Sequence, residues 1–202
     1  MKMKDRKTEV DRSTNLETVW KALEAEVDAG RVKSLGISNF NADQAQRIVN
    51  IAKHKPMNHH QYETHAYFQQ KALRKLIKTW NYRLWLRSIW EPWAQSFLQL
   101  RRISNGLLDP TVEKIAKKYN KTTAQILLRF LTQQGIVVIP KSVTPTRIQQ
   151  NIEIFDIELT ADEMKELEAL DKGFAGRTVN FNAFKGEDHP EYPFKTGQQS
   201  GT

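Results

Sequence analysis

The sequence contains no cysteine. That excludes disulfide staples, thiolate metal centres and thiol nucleophiles. Glycine and proline are few, 9 and 7 residues among 202, which excludes collagen-like and low-complexity chains. No apolar run approaches the roughly 20 residues that a membrane-spanning helix needs. The opening MKMKDRKTEVDR has no apolar core, so no secretory signal is expected there and a cytoplasmic location is the default expectation. Neither a GxGxxG nor a Walker sequence is present, so phosphate binding by a glycine-rich loop has no support.

Hydrophobic residues make up 39% of the chain and charged residues 27%, the balance of one soluble globular domain. The formal net charge is +8 and the isoelectric point about 9.6. The cations are dispersed, apart from a small cluster in residues 2–7 and the pair at 101–102. No nucleic-acid motif accompanies them, so no nucleic-acid partner is expected. His59, His60 and His65 form no i, i+4 helical pair and have no carboxylate partner in sequence, so no metal site is expected either.

Periodicity supplies the elements. Residues 14–30 read as an amphipathic helix, with Val19, Leu23 and Val27 inward, Trp20 on the flank, Thr14 or Asn15 as cap and Gly30 as stop. VKSLGISN (32–39) reads as a strand ending in a polar turn, and residues 41–53 as a second helix. HHQYETH (59–65) alternates like a strand, and 69–77 is helical. Asp109 and Pro110 announce a helix to Tyr119, and residues 122–134 form another. GIVVIPKS (135–142) is a near-continuous apolar run, as in a parallel strand buried on both faces. Residues 144–151 and 160–170 read as helices, the latter opened by the capping box TADE. After Gly173 the chain reads as an irregular C-terminal loop. Strands alternating with helices imply α/β architecture and a parallel sheet.

Three stretches resemble one family. KSLGISNFNADQ (33–44) is similar to the fifth-strand signature of aldo-keto reductases. QYETHAYFQQ (61–70) resembles their sixth strand, and VVIPKSVTPTRIQQNIEIFDIELTADEM (137–164) their eighth strand and following helix. LLDPTVEKIAKKYNKTTAQILLRF (107–130) fits the helical connection, and HPEYPF (189–194) the C-terminal loop. The resemblance implies a partial (β/α)8 TIM barrel retaining strands five to eight. Its expected divisions are a basic tail over 1–13, the oxidoreductase half-barrel over 14–172 and a C-terminal loop over 173–202.

The resemblance also implies NADP(H) as cofactor and aldehydes or ketones as substrates, reduced to alcohols. It places Ser38, Asn39 and Gln61 on the nicotinamide carboxamide, a group with one acceptor and two donors that short polar side chains suit. It places Lys141, Ser142 and Arg147 on the 2′-phosphate and adenosine end, and Gln150 with Asn151 on adenine. Gln150 stands where the family usually has Glu. The family's catalytic Asp, Tyr, Lys and His come from its first four strands, and no residue here stands in those motifs. His59, His60, Tyr62 and Tyr67 do not inherit those roles. The chain is therefore expected to be catalytically incomplete, with no catalytic residue of its own. The other expectation is a non-catalytic half-barrel that binds a partner or a nucleotide. The unpaired edges of a half-barrel would favour self-association.

Four of the five tryptophans, Trp80, Trp85, Trp90 and Trp93, lie where the family carries its seventh strand and a stacking Tyr. Trp has the single codon TGG, and read one base later each becomes a glycine codon. The shifted reading G-I-I-V-F-G-Y-G-P-F-G-S-P-G then follows the family pattern. The hypothesis is that residues from about 79 to about 105 are translated out of frame; the other reading is a genuine Trp-rich binding surface. Sequencing of the coding DNA is expected to reveal a one-base offset near each boundary. Confirmed bases with no offset would remove the hypothesis.

Overall fold

The computed structural model describes residues 11–55, 60–80, 109–178 and 187–195, with His60 and Gln61 described through their backbone alone. The first helix, α1 (Leu16–Asp28), starts where Asn15 Oδ1 accepts the Thr18 amide at 2.8 Å. Gly30 ends it with φ 72°, a left-handed turn that glycine adopts without strain. The sequence expectation put Val19 and Leu23 inward and Trp20 on the flank. The helix is instead turned so that Trp20 and Glu24 are buried while Val19 and Leu23 face out. Trp20 Nε1 donates to Glu24 Oε1 at 3.0 Å, and the same oxygen accepts from the His54 amide at 2.9 Å. A satisfied carboxylate on the inner face interrupts the apolar spacing that would otherwise mark that face.

Two short strands, β1 (Ile37–Ser38) and β2 (His60–Gln61), pair in parallel, Ile37 with His60 and Ser38 with Gln61. Parallel neighbours need a crossover, and α2 (Ala42–Ile51) supplies it. Asn41 and Gln44 close a capping box at its start, at 2.9 and 3.1 Å. Trp20, Ile37, Ala45 and Ile48 share a small core between α1, α2 and β1.

The alternation read in 59–65 is not realised. Tyr62, Glu63 and Thr64 are all buried, so both faces of this stretch are covered. A tight antiparallel bridge from His65 to Phe68 follows, and then α3 (Lys71–Thr79). Trp80, at the C-terminus of α3, is partly buried against both apolar cores; Trp85, Trp90 and Trp93 lie outside the described residues.

The larger core joins Tyr62, Ile77, Ile115, Ile126, Phe130 and Leu167. Each such apolar side chain contributes about 1.5–3 kcal/mol on burial. Helix α4 (Pro110–Tyr119) carries Pro110 at its first position, and Asp109 accepts the Thr111 amide at 2.9 Å. Helix α5 (Thr123–Gln133) opens with a capping box of Thr122 and Gln125. The apolar run after Gly135 was expected to be a strand buried on both faces. Among the described residues it forms only a single bridge position at Val137. Ile136 and Val138 pack into the core, while Val137 and Ile139 are exposed. Val137 and Ile139 keep 38% and 39% of their surface exposed, so that side of the run is only partly covered. Helices α6 (Pro145–Ile152) and α7 (Ala161–Glu168) follow, then a 3-10 turn over Gly173–Gly176. No helix among the described residues is long and apolar enough to cross a membrane.

The capping box of α7 doubles as a tertiary clamp. Glu163 Oε2 accepts the Thr160 amide at 2.8 Å and the Tyr119 hydroxyl at 2.7 Å, and Oε1 accepts from Lys118 Nζ at 2.6 Å. Burial alone would raise the Glu163 pKa, but the hydrogen bonds from Lys118, Thr160 and Tyr119 outweigh it and hold the carboxyl at about 2. A depressed folded-state pKa stabilises the fold above the unfolded value near 4.5, and the gain is lost as pH falls towards 2. Urea unfolding of the native chain should therefore lose on the order of 2 kcal/mol more than Glu163→Gln between pH 6 and pH 2. Parallel losses in the two proteins would contradict the clamp.

Candidate functional site

The β1–β2 register sets Ser38 beside Gln61 at the C-terminal ends of the two strands. The chain then turns through Asn39, whose φ of 60° lies in the left-handed region. Asparagine tolerates that conformation better than other non-glycine residues. Two residues later Asn41 begins the capping box of α2, so the turn is held from its far side. Among the described residues, neither the Ser38 hydroxyl nor the Asn39 side-chain amide is engaged in a hydrogen bond. The Gln61 side chain lies outside the described residues.

The second group gathers at the start of α6. Ser142 Oγ accepts the Thr144 amide at 3.1 Å, which bends the chain into the helix. Thr144 makes no side-chain cap, Pro145 stands in the first turn, and that turn holds no acid. Unsatisfied backbone N–H groups and the positive end of the helix dipole therefore remain free for an anion. Lys141 is half-buried and Arg147 exposed, and neither is in an ion pair among the described residues. Gln150 and Asn151 lie three and four residues beyond Arg147, on the same side of the helix. Gln125 of α5 anchors the far end, its Nε2 donating to the Gln150 carbonyl at 3.1 Å and the Glu153 carbonyl at 3.0 Å.

The structure thus brings together Ser38, Asn39 and the Gln61 backbone as one group, and Lys141, Ser142, Arg147, Gln150 and Asn151 as another. No hydrogen bond, ion pair or ring contact among the described residues links the two.

Sequence reasoning missed the residues that hold the strand ends from behind. Glu63, fully buried, accepts the Thr178 amide at 2.8 Å, and His65 Nε2 lies 3.0 Å from the same oxygen. Gln70 Nε2 donates to the Glu63 carbonyl at 2.9 Å. Arg177 stacks its guanidinium over Phe68 at 4.5 Å and Phe194 at 4.1 Å. Desolvation lowers the Arg177 pKa, and the Glu63 charge opposes that fall. Gly176 passes so close to the turn between His65 and Phe68 that a Cβ there would lie 1.9 Å from the Tyr67 carbonyl oxygen. The segment read as an irregular loop is therefore anchored in its described parts. Arg47 grips Glu191 through two bonds of 3.0 and 2.8 Å, and Gln44 donates to the Glu191 carbonyl at 2.9 Å. Glu191, then Glu17, raise the Arg47 pKa, and Arg47 in turn lowers that of Glu191. The signal for this anchoring is HPEYPF alone, since its partners lie more than a hundred residues away.

Asn39→Ala is expected to cost about 1 kcal/mol in urea unfolding, because alanine resists a positive φ, whereas Asn39→Gly should cost less. Equal losses would mean that the side chain and not the backbone conformation matters there.

The Aldo/keto reductase family profile matches residues 8–172. Aldo-keto reductase family 1 member D1 of Oryctolagus cuniculus is 44% identical over 183 residues, which cover 90% of this chain and 55% of that protein. Among solved structures, the aldose reductase of Schistosoma japonicum superposes with a TM-score of 0.75 at 36% identity, over 90% of this chain and 54% of that one. A variant of Gox0644 in complex with NADPH superposes with a TM-score of 0.67 at 38% identity, over 79% and 54%. The chain spans about half the length of the curated relatives it matches. The likeness gives it the α/β class of the (β/α)8 barrel. On the profile match and these identities, the chain belongs to the aldo/keto reductase family.

Proposed function

We propose that this chain is strands five to eight, with their helices, of an NADP(H)-dependent reductase of aldehydes and ketones, and that its own part of that function is to hold the nucleotide. The observation that carries the reading is the open start of α6, with no acid in its first turn and with Lys141 and Arg147 in no ion pair among the described residues. Its chemistry suits a phosphate: backbone N–H groups, a serine hydroxyl and two cations converge within seven residues. A guanidinium there can also stack on adenine, which an ammonium does less well. Ser38, Asn39 and Gln61 would meet the carboxamide end with donors and acceptors of both kinds. The NADPH complex of the Gox0644 variant supports the same cofactor for this chain.

When bound, NADPH supplies a hydride to the carbonyl carbon. The residues of this chain bind and orient the nucleotide. None of them stands in the family's tetrad motifs, so the chain by itself has no placed acid for the carbonyl oxygen. Loss of such an acid costs about 10²–10⁴ in rate.

Titration of NADPH fluorescence with the purified chain should show weak, saturable binding that falls with salt. Arg147→Ala and Lys141→Ala should each weaken it about tenfold, the effect of one charge-assisted contact. Incubation with NADPH and a generic aldehyde should give no turnover above background. Absence of binding would refute the nucleotide reading, and clear turnover would refute the inactivity of the isolated chain.

A further inference from the structure

The chain after α7 reaches the strand-end turn through Gln44. The side-chain amide of that residue is buried, and both of its ends are hydrogen-bonded. Oε1 accepts the Asn41 amide at 3.1 Å, and Nε2 donates to the Glu191 carbonyl at 2.9 Å and to Glu191 Oε2 at 3.1 Å. A side-chain amide has an accepting end and a donating end, and its partners decide which way round it sits. Glu191 presents two acceptors, so the nitrogen faces Glu191 and the oxygen is left for Asn41. Turned round, the amide would set N–H against N–H at Asn41 and oxygen against the Glu191 carboxylate. The capping box of α2 is thus completed by a residue 147 positions from Gln44.

Glu191 is itself held. Arg47 donates to both of its carboxylate oxygens, at 3.0 and 2.8 Å, and to Glu17 Oε1 of α1 at 2.7 Å. The Glu191 amide donates to His189 Nδ1 at 3.0 Å, and His189 and Phe194, which flank it in sequence, are buried. On the other side of Asn41 the chain runs back through Phe40 to Asn39, at φ 60°, and to Ser38 at the end of β1. A non-glycine residue stays in the left-handed region only where its surroundings over-determine it. Ser38 is fixed by its pairing with Gln61, and Asn41 by Gln44. Those two fixed points set where Asn39 stands. Resting on the reading that Ser38 and Asn39 meet the carboxamide of a nicotinamide nucleotide, we propose that Glu191 is a positioning residue for that end of the ligand. It acts through Gln44 and Asn41 on the turn at Ser38 and Asn39. It shares no hydrogen bond with Lys141, Ser142 or Arg147 among the described residues, so the phosphate end is outside its reach. Removal of its carboxylate leaves an N–H of a buried amide without its partner, which is the costly way to break a hydrogen bond.

The test uses Glu191→Ala, Glu191→Gln and Gln44→Glu in the full chain, read by amide exchange and by ligand titration. In E191A the Asn41 amide should exchange about tenfold faster, the effect of one lost hydrogen bond, with the amides of α5 unchanged. E191Q keeps an oxygen for Gln44 Nε2 and should exchange as the native chain does. Q44E keeps an oxygen for the Asn41 amide, so the capping box survives, but it has no N–H for Glu191. NADPH should bind E191A and Q44E about threefold more weakly and E191Q about as well as the native chain. The double variant E191A/Q44E should be no worse than the weaker single variant, because both changes break one link. Adenosine 2′,5′-bisphosphate, which lacks the nicotinamide, should bind all of these as it binds the native chain, whereas R147A should weaken both ligands. The proposal is overturned by native exchange at Asn41 in E191A, by faster exchange that extends to α5, by native NADPH affinity in Q44E, or by equal weakening of the two ligands. A native chain that binds neither ligand removes the nucleotide reading, and exchange at Asn41 alone then keeps or overturns the link from Glu191 to the turn.

Discussion

A strand in a parallel barrel sheet must be covered on both faces, and most of what this chain does with its polar residues follows from that constraint. The stretch after β2 meets it fully. Tyr62, Glu63 and Thr64 are consecutive and all buried, so a carboxylate ends up inside the protein. An unsatisfied buried carboxylate would cost several kcal/mol. Thr178 and His65 supply its partners; His65 is a neighbour in sequence, whereas Thr178 depends on the chain after α7 returning to this place. The return is tight enough to require glycine at Gly176. Covering this one stretch thus fixes the path of the residues that follow the last helix.

The same constraint is only half met after α5. Ile136 and Val138 reach the core of helices, and Val137 and Ile139 stay 38% and 39% exposed. The apolar run carries enough hydrophobic surface for two covered faces, and one of them is covered only in part. The polar residues expected to meet a nucleotide sit directly beyond this run, at Lys141, Ser142 and Arg147. Their setting is firm towards α5, where Gln125 holds the end of α6, and open on its other side. Incomplete cover and an available anion site thus occupy the same few residues.

Trp80 gives the clustered tryptophans a physical context. Its ring bridges the two apolar cores at the end of α3, a place where side-chain bulk is used. The family pattern over 80–93, seen only after a one-base shift, would put glycine there and leave neighbouring side chains to fill the space. Packing at Trp80 and the codon pattern therefore point in different directions, and the DNA sequence is what distinguishes them.

The sequence by itself determined where helices begin and end. Asn15, Asn41 with Gln44, Asp109 with Pro110, Thr122 with Gln125, and Thr160 with Glu163 act within four residues of themselves, so their effect is local and readable. Ser38 and the start of α6 were legible for the same reason, as short polar turns after apolar runs, whereas Gln61 reads from sequence as the inside of a strand over 59–65 and in the structure ends β2. Tertiary structure alone decided which face of α1 turns inward, because the inner Glu24 is made acceptable by the His54 amide thirty residues away. It alone decided that Glu63 is buried and that Arg47 holds Glu191, pairings across more than a hundred residues. Hydrophobic periodicity records where apolar atoms lie along the chain. It cannot record a charged group whose burial depends on a partner that only folding brings near.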